Sequence, residues 1–175
     1  RRVTNMLFSM FPRLLVNTIT PNTATLVTDI FRRISLNKFK SNVVLLQTIT
    51  VPDGYTIEQV SDKFYGNPDY HWVIMTINEI VDARREWPMG NSDLLAYCKK
   101  KYGETGIYLP HHYRTSDAFK IIVDYNSTDI ANGTAVVVSN YEYEEELNNS
   151  KREIKMLEPK YLAEFVSLYS NLISR

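Results

Sequence analysis

The chain has 175 residues, 44% of them apolar and 12% aromatic, which suits one ordinary domain with a core and excludes disorder throughout. Twenty basic and twenty acidic residues cancel, and this balance argues against a general nucleic-acid or membrane-surface binder. Cys98 is the single cysteine, so no intramolecular disulfide can form, and no apolar run approaches the roughly 18–20 residues that span a bilayer.

The charge is uneven along the chain. Arg1, Arg2, Arg13, Arg32, Arg33, Lys38 and Lys40 face Asp29 alone in residues 1–40, and the stretch from Glu142 to Glu146 is acidic in return. Two readings stand side by side: solvated surface, or ends that meet oppositely charged partners. At the start, basic residues precede an apolar patch, Met6, Leu7, Phe8, Met10 and Phe11. Pro12 and Arg13 interrupt it before a signal-peptide core forms, and no small-residue cleavage site follows. That points to an unexported protein, with Met6 a candidate start. The patch needs burial, in its own domain or in a neighbour.

From Asn17 to Thr28 the Thr, Asn and Pro content predicts an extended, irregular connection. Asp29 to Ile34, including Phe31 and Arg32, reads as one or two helical turns. Asn42 to Val51 is β-branched and bounded by Pro52-Asp53-Gly54, so it predicts a strand. Two short helices follow. Thr56 with Gln59 makes the capping-box pattern, Ile57, Val60 and Phe64 share a face, and Gly66 supplies the stop. Asn67 and Pro68 start the second helix as cap and N1 residue, and Trp72, Val73 and Ile77 give it a broad apolar face. These six apolar residues are the expected core.

Glu86 to Gly90 carries loop chemistry, and Ser92 to Tyr102 predicts a helix capped by Asn91 or Ser92 and stopped by Gly103. Strands are expected over Gly106 to Leu109, Phe119 to Tyr125 and Ala135 to Tyr143, with turn residues between the last two marking a hairpin. Ser150 to Arg175 reads as one amphipathic helix, or two joined near Pro159, on which Leu157, Tyr161, Phe165 and Tyr169 belong to an apolar stripe that must be covered. The organisation is an N-terminal arm with a short helix (1–41), a core with its following helix (42–104), a strand-rich segment (105–149) and a C-terminal helix (150–175).

Catalytic chemistry is hard to find. His71 reads as a packed or surface residue, and His111 and His112, adjacent in a strand, point to opposite faces and do not share a metal. There is no zinc-binding helix, phosphate loop or nucleophile elbow. Glu58, Asp62, Asp69 and Glu79 sit at helix starts or on polar faces, where capping explains them. No cofactor or metal is expected. Twelve tyrosines suggest a protein that works by contact, although they would also fill an ordinary core.

The central stretch resembles a LysM module. It has a strand at Ile49 to Val51, a helix capped at Thr56, the run Phe64-Tyr65-Gly66, and Asn78 closing the second helix, but no return strand directly after it. A longer resemblance, over nearly the whole chain, is to the baseplate wedge protein family with a LysM-like domain in T4-like contractile-tailed phages. It rests on Met6-Leu7-Phe8, Thr28 to Arg32, the run from Phe64 to Ile74, the Trp87 loop, Lys101-Tyr102 and Lys151 to Lys155. The resemblance implies an α+β fold with a LysM-like strand-helix-helix core, an extended arm, a small antiparallel sheet and a C-terminal amphipathic helix. It implies a non-enzymatic virion component, assembled in the host cytoplasm, that joins adjacent baseplate wedges. Met6, Leu7, Phe8, Phe11, Phe31, Arg32, Tyr161, Phe165 and Tyr169 are the partner-binding candidates. The alternatives are a peptidoglycan-binding module and, on the carboxylates alone, a cell-wall hydrolase subunit.

Overall fold

The computed structural model describes residues 7–17, 24–30, 32 and 45–174. Met6 and Phe31, and the strand expected over residues 42–44, lie outside the described residues, as does most of the helical turn expected over 29–34. Helices and small antiparallel sheets together make an α+β fold.

Leu7–Met10 is one 3-10 turn. The connection expected to be irregular over Asn17–Thr28 ends instead in a strand: β1 (Arg13–Asn17) pairs antiparallel with β2 (Ala24–Thr28) as a hairpin, and the part of that connection over residues 18–23 lies outside the described residues. The hairpin's open end is closed by the Asp29 N–H donating to Pro12 O at 2.8 Å. Alternating Leu, Val and Thr in Arg13–Asn17 and Ala24–Thr28 satisfy strand geometry, and composition alone hides this. β3 (Leu46–Thr50) leads to α1 (Ile57–Tyr65). The capping box forms as the sequence predicts: the Gln59 N–H donates to Thr56 Oγ1 at 3.3 Å and the Thr56 N–H to Gln59 Oε1 at 2.9 Å. Gly66, with φ at 71°, ends α1 in the left-handed region and its N–H donates to Asp62 O.

Asn67 Oδ1 accepts from the Asp69 N–H at 2.9 Å, opening a 3-10 turn at Pro68–Tyr70 that runs into α2 (His71–Asn78). α3 (Ala83–Glu86) is a single turn, and α4 (Asn91–Tyr102) follows with Gly90, one residue earlier than expected, at its N-cap. Gly90 fits because a side chain there would press on the Gly54 backbone: an added Cβ would lie 3.1 Å from Gly54 Cα.

The next stretch departs most from expectation. Gly106–Tyr108 is a 3-10 turn, and the strand starts after it, as β4 (Pro110–Thr115). β5 (Ile122–Val123) keeps only two residues of the strand expected from 119 to 125, and α5 (Ser127–Ala131) fills the place of the hairpin turn. β6 (Ala135–Ser139) does not pair with β5; both flank β4 in the order β5-β4-β6. At Ser139 the strand stops and α6 (Asn140–Asn149) begins, because Ser139 Oγ accepts from the Glu142 N–H and the Glu142 carboxylate accepts from the Ser139 N–H at 2.7 Å. The acidic run is therefore a helix. Finally β7 (Glu153–Leu157), a turn at Pro159–Tyr161 and α7 (Leu162–Ile173) stand where one amphipathic helix, or two joined near Pro159, was expected, and a strand takes the place of the part before Pro159.

β7 is a strand that the sequence reading did not place. It pairs with β3. The Glu158 N–H donates to Leu45 O at 3.1 Å at one end, and beyond the other the Val51 N–H donates to Arg152 O at 2.8 Å, so the strands run antiparallel. The chain forms two compact units. One comprises the described residues up to Thr50, with Thr56–Arg84 and the residues from Ile154 onward; the other comprises Val51–Tyr55 and Arg85–Glu153. In sequence, the second unit is placed almost wholly between α2 and β7.

The first unit's core joins Trp72, Val73 and Ile77 of α2 to Leu157 of β7 and to Leu162, Phe165, Tyr169 and Ile173 of α7. Spacings of three and four residues put those α7 side chains on one buried face. Ile57 and Val60 are also buried, and Phe64 is half-buried. Tyr65 donates its hydroxyl to Leu157 O at 3.1 Å, and burial pushes its pKa far above the usual tyrosine range. Asn78 works as a splice between α2 and β7: its side-chain amide donates to Ile74 O and Lys155 O and accepts from the Lys155 N–H, each at 2.8 Å.

The second unit packs Leu94 and Cys98 of α4 against Ile107. Asn148 is buried and bonds both backbone polar groups of Met89, its carbonyl accepting at 2.7 Å and its amide donating at 2.9 Å. Arg152 gathers the unit's loops, donating to Asn149 Oδ1, Val51 O, Asp53 Oδ1 and Met89 O.

Candidate partner interface

The arm exposes apolar side chains where a soluble surface would carry polar ones. Leu7, Met10 and Phe11 pack against the first unit's own core, so that part of the patch is satisfied within the chain. Phe8 is 59% exposed, its ring 5.6 Å from that of Phe11. The hairpin adds Leu14, Leu15, Val16, Leu26 and Val27, all exposed, and Ile30 follows them. Arg32 is partly exposed.

At the C-terminal end the expectation needs correction. Phe165 and Tyr169 do not face outward; both are buried in the core beside Trp72, at ring-centroid distances of 6.1 and 4.9 Å. The stripe that demanded a cover is covered by α2 and β7. Tyr161 lies at its edge, half-buried, with the Lys160 ammonium 4.8 Å above its ring.

The second unit presents another apolar tip, which the sequence predicted as part of a strand over Phe119 to Tyr125. Asp117 organises the turn between β4 and β5. Its carboxylate accepts from the Thr115 hydroxyl at 2.6 Å and from the Phe119 and Lys120 N–H groups, and these bonds, the hydroxyl's first, hold its pKa below the usual carboxylate range. The turn leaves Phe119 82% exposed beside exposed Ile121 and Ile122. Behind it, Arg114 binds Glu146 in a bidentate pair at 2.7 and 2.8 Å.

Candidate chemistry is sparse. Among the described residues no group of three or more His, Cys, Asp or Glu side chains is placed to hold a metal. Cys98 is buried, and burial, then the Glu144 charge, push its thiol up and keep it protonated. Burial raises Glu144 itself, but hydrogen bonds from Lys101 (2.7 Å) and Tyr102 (2.8 Å) outweigh it and keep the carboxylate ionised. The histidines do not point apart as alternation suggests. A register shift between Pro110 and His112 breaks the two-residue period, and the two Nδ1 atoms come within hydrogen-bond distance at 2.9 Å. His111 also stacks on Tyr143 at 3.8 Å, and burial, then the neighbouring His111 and Arg114, hold His112 below the usual histidine range.

Two compact units that each expose apolar side chains suit a protein that works by contact. The sequence matches the family of Base plate wedge protein 53 over residues 6–129. The chain belongs to that family: it is a structural part of the phage tail baseplate, and so of the virion tail, and interacts with other baseplate components. A comparison with curated proteins finds no match.

Proposed function

We propose that the chain joins neighbouring baseplate wedges as the baseplate assembles in the host cytoplasm, in the manner of the T4-like contractile-tailed phages that the sequence resembles. The observation that carries this reading is the run of exposed apolar side chains from Phe8 to Ile30 on a member of a baseplate wedge family. Phe8 and Arg32, with Tyr161 beside α7, are the partner-facing residues in this reading, Leu7 and Phe11 anchor the arm on the first unit's core, and Met6 and Phe31 belong to the same stretch of sequence. The role is non-enzymatic.

In this reading β3, α1, α2 and β7 form a LysM-like module used as scaffold. A sugar-binding LysM module borders its groove with the loop between the second helix and the return strand. Here residues 79–152 take the place of that loop, which favours a scaffold over a peptidoglycan site. The test is reconstitution: purified full-length chain added to wedges from a phage lacking the gene should convert separate wedges into closed baseplates. Wedges that close without it would refute the proposal, and retention on insoluble cell wall instead would support the peptidoglycan alternative.

A further inference from the structure

We infer that the β1–β2 hairpin is a two-sided plug that inserts into an apolar slot, rimmed by acidic side chains, on neighbouring baseplate proteins. This rests on the wedge-joining reading and specifies how the contact is made. The register pairs Leu14 with Val27, Leu15 with Leu26 and Val16 with Thr25. Opposed residues share a face and successive residues alternate, so Leu14, Val16 and Val27 line one face while Leu15 and Leu26 line the other. On the first face Leu14 is 46% and Val16 47% exposed; on the second Leu15 is 71% and Leu26 52% exposed.

A hairpin meant to lie on its own core keeps one face polar, because that face meets water. Apolar residues on both faces are the pattern of strands covered from both sides. A two-stranded ribbon is also marginal by itself and gains stability from a third strand or a packed face. The hairpin therefore displays half of a structure that a partner completes on two sides, as an element lodged between two wedges would require.

Charge supplies the partner's chemistry. Arg13 opens β1 and Arg32 follows β2, within residues 1–40 whose seven basic side chains face Asp29 alone. The whole chain is neutral, so residues 41–175 carry the opposite excess. An acidic rim attracts the hairpin and steers it into the slot.

The test measures incorporation of the full-length chain into baseplates, in cells infected by a phage lacking the gene. Leu15→Asp changes one face and Val16→Asp the other; each should cut incorporation roughly tenfold or more, as central interface residues do, while the melting temperature of the free protein stays unchanged. Should either variant melt early, Leu15→Ser and Val16→Ser repeat the comparison. Arg13→Glu should also reduce incorporation. Sensitivity on one face alone would overturn the slot in favour of a flat contact, and insensitivity on both would exclude the hairpin. Normal incorporation of Arg13→Glu would overturn the acidic rim, as would salt-sensitive self-association of the free chain. Intact baseplates formed by the gene deletion itself would overturn the wedge-joining reading instead.

Discussion

Trp72 is 2% exposed and its indole N–H has no hydrogen-bond partner among the described residues, an unusual arrangement because a buried donor normally finds an acceptor. Its ring packs against Phe165 and Tyr169, the contacts that tie α2 to α7. Two substitutions separate the packing from the orphan donor. Trp72→Ala removes the whole ring from the first unit's core and should cost about 3–5 kcal/mol. Trp72→Phe removes two ring carbons, worth about 0.8 kcal/mol each if they count as buried methylenes. It also removes the N–H, whose unsatisfied burial costs about 1–3 kcal/mol. The two terms nearly cancel, so Trp72→Phe should fall within about 1 kcal/mol of the parent. Urea unfolding of the full chain, followed by circular dichroism, reads both. A Trp72→Phe loss close to that of Trp72→Ala would refute the reasoning, because it would mean that the N–H has a partner or that the ring's shape is irreplaceable.

Other perturbations address the connections. Asn78→Ala deletes the splice to β7 and should cost about 1–3 kcal/mol, with faster hydrogen exchange at the Lys155 amide; unchanged exchange there would contradict the bond. Arg152→Lys keeps the charge but cannot reach the Val51, Asp53 and Met89 acceptors together, so the second unit should lose about 1–3 kcal/mol, and a neutral result would show the cluster adds nothing. His112 has a depressed pKa in the fold, so its contribution is complete above the ordinary histidine value of 6.5 and is lost as pH falls through the folded value. His111 and Arg114 favour its neutral form and Glu146 opposes them. The parent should therefore lose more stability than His112→Gln on acidification to about pH 5, and an equal or opposite slope would contradict the depressed pKa. A fragment ending at residue 129, where the family match stops, lacks β7 and α7 and should show no cooperative urea transition for its first unit; a sharp transition would refute the dependence on β7.

What could be read from the sequence was what is settled within a few residues. The Thr56–Gln59 box, the Gly66 stop and the Asn67-Pro68 start all act over one turn of helix, and each stands where the residues predict it. Ser139 and Glu142 spell the same box, yet the β-branched run before them suggested that the strand continued to Tyr143. A capping side chain satisfies backbone donors that a strand would leave to a neighbour, and the local bonds prevailed. His111 and His112 show the converse limit. Alternation assumes an unbroken ladder, and one register shift suffices to bring together side chains that should part.

β7 was hidden for a different reason. β3 pairs with β7 across about a hundred residues, and nothing in Leu46–Thr50 names its partner. A strand is recognised by its neighbours, and when the intervening chain folds as a unit of its own, periodicity sees two unrelated segments. The same long-range closure misdirected the partner site. Phe165 and Tyr169 looked like a stripe in need of another protein because the surfaces that cover them, on α2 and β7, could not be placed from sequence. Once β7 is paired those residues are satisfied inside the chain, and the exposed apolar side chains lie instead on the hairpin, whose second strand falls in a stretch whose composition had read as mere connection.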